Sequence, residues 1–326
     1  TTISPYPPGP EQWPGVLRNI VPNSFYEASL QAWVPIVFSI VYYIVAHGAN
    51  HAFFFSQKSK DLTKANSPLA ALLRWGIVAH NAFLAVYSGW TFYHVVPVVM
   101  RFFYVGARAA GLDGVKLSLC SMPTNTVTLA PYAWLFYISK YYEVVDSIIL
   151  VLKGKKVSNL QSYHHAGALL AMWIAYRYQS QAVWVFVAFN SGVHTAMYSY
   201  YFCSTMKLPF PRTLKRNLTT LQIAQITSGV VLTNLYWITK LDPTRVAAGL
   251  VKLGFRSSTG SASASDASWA AGSELLTLAT ARAAKVGRHS DQCLESSGAS
   301  LALHFNTAYL VPLVVLFARF FVRSYL

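Results

Sequence analysis

Two adjacent histidines, His164 and His165, close the run Gln161-Ser162-Tyr163-His164-His165. A neutral imidazole offers one donating and one accepting nitrogen, so it can act as base, acid or nucleophile near neutral pH. On a helix Gln161 lies one turn before both histidines, at i+3 and i+4, where its carboxamide can fix the tautomer of either. Neighbouring helical positions point about 100° apart, which suits one reactive and one structural histidine. A second polar set, Asn190, His194 and Tyr198, recurs every four residues through an apolar stretch and would form a narrow wet stripe on one face. Of eleven carboxylates, only Glu143 and Asp146 fall inside a predicted span. With Lys140 they stand at steps of three, predicting one shared helix face on which the charges neutralise one another, either as a structural ion pair or beside a functional cavity. His80-Asn81, Gln222 and Gln225 are further polar residues in apolar surroundings, able to line the same cavity or to hold helices together.

The elements that position these groups must be membrane helices. Of 326 residues, 54% are hydrophobic and 11% charged, against roughly a quarter charged in a soluble domain. Mean hydropathy is +0.37. Apolar stretches of about 20 residues occur near residues 30–49, 69–100, 126–152, 158–178, 182–203, 217–239 and 300–323. The expected fold is therefore all-α and integral to the membrane, with seven transmembrane helices. The second helix is expected to be tilted or broken near Pro97. Residues 1–29 form an N-terminal luminal segment. In the membrane domain, 30–326, residues 241–299 read as a long low-complexity loop before the last helix, expected to be disordered, most plainly over the Ser/Ala/Gly run 257–265.

The net charge is +15, carried in short clusters between the apolar stretches. With the N-terminus outside, Lys58, Lys60 and Lys64, then Lys153, Lys155 and Lys156, then Lys207, Arg212, Lys215 and Arg216 all face the cytosol, as the positive-inside rule favours. The last connection also carries bases, but at about 60 residues it is too long to decide topology. No segment is polar enough to give a basic soluble face, which excludes nucleic acid as a partner. Cys120, Cys203 and Cys293 have neither CxxC spacing nor an even count, and read as packing residues. His47 and His51 form an HxxxH pair, but the histidines are too few for a di-metal desaturase site, so no metal is expected and this pair reads as interfacial.

Ser139-Lys140-Tyr141-Tyr142-Glu143 through Asp146-Ser147, the Gln161 to His165 box, and Asn190-Ser191 to His194 followed by Met197-Tyr198-Ser199-Tyr200-Tyr201 agree in order and spacing with motifs of one family. They resemble S-K-x-x-E-x-x-D-[ST], [HQ]-x-x-H-H and N-S-x-[VI]-H-x-x-M-Y-x-Y-Y of the fatty acid elongase (ELO) family of membrane 3-ketoacyl-CoA synthases. His80-Asn81, Leu221-Gln222 to Gln225, and Phe320-Phe321 to Ser324-Tyr325 extend the resemblance, which covers roughly residues 30–240 and 292–326. It implies condensation of a long-chain acyl-CoA with malonyl-CoA in the endoplasmic reticulum membrane, N-terminus luminal and C-terminus cytosolic, with no bound cofactor, and makes residues 30–326 a catalytic domain whose seven helices surround a central substrate tunnel. His164 is then expected to accept the acyl group with Gln161 orienting its other nitrogen, or to act as general base in a ternary complex. His165, His194 and Asn190 would polarise the thioester carbonyl or stabilise the enolate. Lys140, Glu143, Asp146, Tyr198, His80, Asn81, Gln222 and Gln225 would form a supporting network. Lys153, Lys155, Lys156, Arg212, Lys215 and Arg216 are expected at the CoA phosphates.

Expected partners are the lipid bilayer and the ketoreductase, dehydratase and enoyl reductase that follow condensation; a homo-oligomer is compatible with the sequence. The Gln form of the box occurs in many members acting on polyunsaturated chains, which leans the substrate that way. A seven-helix receptor is the main competitor from another class, but the last helix lacks a lysine for retinal and the third lacks D-R-Y. A transporter would show an internal repeat, and none is visible.

Overall fold

A computed structural model describes residues 6–55, 61–64, 66–122, 128–209, 211–256, 267–285, 292–294 and 296–326. Among these, secondary structure is helical apart from one isolated bridge between Lys240 and Gln292. The helices are α1 (Asn23–Ser29), α2 (Trp33–Phe55), α3 (Pro68–Ala110), α4 (Leu112–Cys120), α5 (Ala130–Tyr142), α6 (Val145–Leu152), α7 (Asn159–Arg177), α8 (Val183–Thr205), α9 (Arg212–Ile238), α10 (Pro243–Lys252), α11 (Ala267–Ala283) and α12 (Ser297–Tyr325). Serine or aspartate side chains cap four of them. Ser67, Ser158, Asp242 and Ser296 accept from the backbone N–H three residues on, satisfying donors that a helix start leaves unpaired.

Three helices, at Trp33–Asn50, Pro68–Ala110 and Ser297–Tyr325, are long and apolar enough to cross a membrane. Their outward faces carry exposed apolar side chains such as Ile40, Ile44, Leu72, Trp75, Val86, Val311 and Val315, the surface a bilayer would cover. Helices α7, α8 and α9 stand where three more spans were expected, but histidine, asparagine, glutamine and threonine within them lower their hydropathy below the same threshold. The expected span 126–152 is two helices. After Ser139, bonding tightens from the α-helical step to Asp146 N–H to Glu143 O (3.1 Å) and Ser147 N–H to Val144 O (2.9 Å), which re-aims everything beyond Glu143. The second helix, expected to be tilted or broken near Pro97, is not broken there: Pro97 lies inside a continuous α3.

The connection expected as one loop is largely built. Helices α10 and α11 pack on one another and on the far part of α3, and α4 packs beside them. Low-complexity composition described only the run 257–265, which lies outside the described residues. Two of the presumed packing cysteines, Cys120 and Cys293, form a disulfide. Arg282, buried nearby, donates to the carbonyls of Gln292 (2.9 Å), Cys120 (3.0 Å) and Cys293 (3.5 Å). Backbones meet closely here. A Cβ on Gly114 would overlap the Gly106 carbonyl, and one on Gly249 the Ala109 carbonyl.

The N-terminal segment packs on this same end. Trp134 donates to Ser29 Oγ (3.0 Å), Tyr137 to Ser29 O (2.7 Å) and Trp173 to Leu30 O (3.0 Å). Large aromatic side chains thus bury their rings while each polar tip finds a backbone or hydroxyl partner. At the opposite end, Asn50 pairs its carboxamide with both the N–H and the C=O of Val157 (2.8 Å each), joining α2 to the α6–α7 turn.

Candidate active site

Helices α5, α7, α8, α9 and α12 surround a narrow cavity of about 50 Å³. Its polar wall is made by Lys140, His164, Asn190, His194, Gln222, Gln225 and Tyr309; the remainder is apolar, including Phe136, Ala168, Met172, Phe186, Ile226 and Leu313. Ser158 caps α7 through the Gln161 N–H, which sets the helical register of the histidine pair. His164 then faces the cavity while His165 is buried outside its lining. The two histidines do divide their surroundings.

Gln161 holds His165, not His164. Its carboxamide donates to His165 Nε2 at 2.7 Å, because i+4 sits more nearly above it than i+3 does on this helix. His164 Nδ1 instead lies 3.0 Å from the hydroxyl of Tyr309 on α12. Tyr309 had no motif around it and lies 145 positions away; only packing of α12 on α7 reveals it. His47, expected at the interface, lies within hydrogen-bond distance of Ser162 Oγ (3.0 Å); the His51 side chain lies outside the described residues.

The acidic motif divides as well. Lys140 donates to Glu143 Oε1 at 2.7 Å and to Asn190 Oδ1 at 3.1 Å, with its ammonium 4.0 Å from the centre of the Phe136 ring. Since Lys140 occupies Oδ1, Asn190 is left with Nδ2–H groups to offer a carbonyl in the cavity. His194 Nδ1 stands 3.9 Å from Glu143 Oε1. Asp146 does not share the Lys140 face. The tightened turn sends it to α3 and α8, where Oδ1 lies 3.0 Å from His80 Nε2 and Oδ2 accepts from Tyr198 OH at 2.6 Å. Tyr142 completes this group at 3.2 Å from His80 Nδ1.

The wet stripe expected on α8 is thus shared between two places, Asn190 and His194 at the cavity and Tyr198 at Asp146. His80 and Asn81 are buried but do not line the cavity, whereas Gln222 and Gln225 do. Gln222 Nε2 also touches Met197 Sδ at 3.1 Å. None of Lys153, Lys155, Lys156, Lys215 and Arg216 lines it; the Arg212 side chain lies outside the described residues. Outside the spans, burial and the neighbouring Lys155 charge lower the Lys153 pKa against the pull of Asp61.

A neutral imidazole, a carboxamide with free donors, a second imidazole beside a buried carboxylate and a long apolar wall together suit acyl chemistry on a lipid-like chain: a nucleophile, donors for an oxyanion, and a dry pocket for the tail. Comparison with known proteins agrees. The chain is 31% identical over 152 residues to "Putative fatty acid elongase 3" of Caenorhabditis elegans, covering 47% of this chain and 46% of that protein. It is 31% identical over 178 residues to "Fatty acid elongase 2" of Trypanosoma brucei brucei, covering 53% and 63%, and 26% identical over 207 residues to "Very long chain fatty acid elongase 3" of Mus musculus, covering 63% and 70%. The matched region thus spans about half the length of the first of these relatives and less than two thirds of the second. No solved structure matches the chain. A family model, described as the GNS1/SUR4 family (ELO), matches residues 28–326, nearly the whole chain and every cavity residue named above, so the protein belongs to the ELO family.

Proposed function

We propose that this protein is the condensing enzyme of fatty acid elongation, a 3-ketoacyl-CoA synthase that joins a long-chain acyl-CoA to malonyl-CoA. The observation that carries the reading is convergence: His164, Asn190, His194 and Lys140, from three helices, meet on the polar wall of one cavity whose remaining wall is largely apolar. His164 Nε2 attacks the acyl thioester and CoA leaves as the thiolate. Malonyl-CoA then loses CO2, and the carbanion so formed attacks the acyl carbon and expels the imidazole. The product is a 3-ketoacyl-CoA two carbons longer, and His164 is regenerated. Asn190 Nδ2 and His194 donate where oxyanion charge develops. Gln161 and His165 support α7 beside the site rather than contacting the reacting carbon. The apolar part of the cavity forms the acyl end of a tunnel through a seven-span bundle, in which the polar helices α7, α8 and α9 cross the membrane shielded by α2, α3 and α12 and α5–α6 completes the count.

CoA enters from the cytosolic end. Lys153, Lys155 and Lys156 lie there on the α6–α7 turn, and Arg212, Lys215 and Arg216 at the start of α9, where Thr219 Oγ1 meets Tyr325 OH (3.2 Å) at the end of α12. The Cys120–Cys293 disulfide at the other end fits an oxidising lumen, which supports residence in the endoplasmic reticulum membrane with the N-terminus luminal and the C-terminus cytosolic. No bound cofactor is required. The reductases and dehydratase of the elongation cycle are the expected partners.

The test is incubation of purified protein with radiolabelled malonyl-CoA and a panel of acyl-CoAs, alongside folded His164→Ala. Product two carbons longer from wild type alone is expected. Equal product from both would remove His164 as nucleophile, and no product from wild type with any acyl-CoA would overturn the reading. Parallel initial-rate lines and an acyl adduct on His164 by mass spectrometry are expected; intersecting lines without an adduct would make His164 a general base. Lys215→Ala with Arg216→Ala should raise KM for CoA substrates, and an unchanged KM would remove this pair from the site.

A further inference from the structure

We propose that Tyr309 is a positioning residue that holds His164 as the Nδ1–H tautomer, leaving Nε2 as the nitrogen free to attack. The inference rests on the reading of His164 as acyl acceptor and adds to it the residue that selects which nitrogen reacts.

The Tyr309 hydroxyl lies 3.0 Å from His164 Nδ1 and donates to the backbone carbonyl of the same residue at 3.2 Å. A hydroxyl has one proton, and a carbonyl oxygen can only accept. With that proton directed to the carbonyl, Oη presents a lone pair to the ring, and the nitrogen facing it must carry the hydrogen. The other nitrogen, Nε2, is then unprotonated on a side chain that lines the cavity. Reversal would leave the His164 carbonyl without this donor and put the hydrogen on the nitrogen that must act as nucleophile.

Two further observations show that the hydroxyl is held in this place. Tyr163, one residue before His164, donates its own hydroxyl to the Tyr309 carbonyl at 3.1 Å, and the two rings lie 5.7 Å apart. The backbone and ring of Tyr309 are thus tied to α7 independently of His164. Next along α7, Gly167 leaves the space the ring occupies, since a Cβ there would collide with the ring carbons of Tyr309. A bare backbone at that position is what lets a tyrosine on α12 reach back over the turn that carries the histidine.

Two-bond nitrogen–proton correlation spectra of histidine-labelled protein in detergent, with the His164 signals assigned by their loss in His164→Ala, read the tautomer directly. Wild type is expected to show His164 with a protonated Nδ1 and a bare Nε2, and Tyr309→Phe a mixture or the reverse tautomer. In the elongation assay Tyr309→Phe should lower kcat by about 10²-fold or more with KM for acyl-CoA little changed, the size of effect seen when a catalytic imidazole is misprotonated. A wild-type His164 carrying its proton on Nε2 would overturn the proposal, and so would a folded Tyr309→Phe with unchanged tautomer and unchanged kcat. If Tyr309→Phe does not fold, the wild-type spectrum decides alone. Absence of any elongated product from wild type would instead overturn the condensing reading, and the spectra would still decide whether Tyr309 sets the tautomer.

Discussion

Lys140 and Glu143 are both about 4% exposed, so each is tolerable only because the other is present. Removing one partner of such a pair leaves an uncompensated buried charge, at a cost of about 3–5 kcal/mol. Lys140→Met and Glu143→Leu should therefore each lower the thermal-unfolding midpoint sharply, and the double variant should recover much of the loss; additive single effects would contradict the pairing. The three-residue spacing made this pair legible in the sequence, but the same spacing misassigned Asp146, because periodicity assumes an unbroken helix and two tightened hydrogen bonds intervene. Similarly, Gln161 was legible as a histidine partner while its choice of His165 depended on helix geometry, and Tyr309 was invisible for want of any local pattern. A pH effect belongs to Asp61, in the connection between α2 and α3. Partial burial raises its pKa, but hydrogen bonds from Thr63 N–H and Oγ1, with help from Lys64, outweigh that and hold it below its ordinary value. A depressed carboxylate stabilises the fold above its unfolded pKa, and that contribution is lost as pH falls through the folded value. Unfolding midpoints measured from about pH 5 down to about pH 2 should fall less steeply for Asp61→Asn than for wild type, the difference amounting to at most about 1 kcal/mol at this solvated position. Identical slopes would refute it.

Among the elements, α3 reaches furthest. Its 43 residues extend about 64 Å at 1.5 Å per residue, roughly twice a hydrocarbon core of about 30 Å. Its last turns therefore leave the membrane and serve as the post on which α4, α10 and α11 pack. That packing depends on Gly106, Gly114 and Gly249, where backbones touch. Gly114→Ala should destabilise the protein by about 1–3 kcal/mol through overpacking, whereas Gly48→Ala, with nothing within 4 Å of the new methyl, should be neutral or slightly stabilising. A harmless Gly114→Ala would show that the outer layer can shift. In the sequence this layer was hidden by composition: a Ser/Ala/Gly run masks the amphipathic α10 and the alanine-rich α11 on either side, and no spacing rule pairs two cysteines so far apart. The apolar α2, α3 and α12 were plain because hydropathy averages over a whole span, whereas α7, α8 and α9 trade hydropathy for the polar groups the cavity needs.

For the molecule as a whole, the proposed sidedness rests on the basic turns at one end and the disulfide at the other. In a Cys203→Ser background, Lys156→Cys should react with a membrane-impermeant maleimide applied to the cytosolic face of sealed microsomes; reaction only after permeabilisation would invert the topology. The disulfide has one more consequence. Cys120 and Cys293 are 173 positions apart, so α5 through α11 lie on a closed covalent ring, while α12 hangs outside it. A single cut in the turn between α8 and α9 would open the ring without releasing either piece. His164 and Tyr309 would then belong to different polypeptides that travel as one band until a reductant is added. Such a nicked protein offers a way to introduce a label or an altered α12 on one half alone and still recover an assembled site.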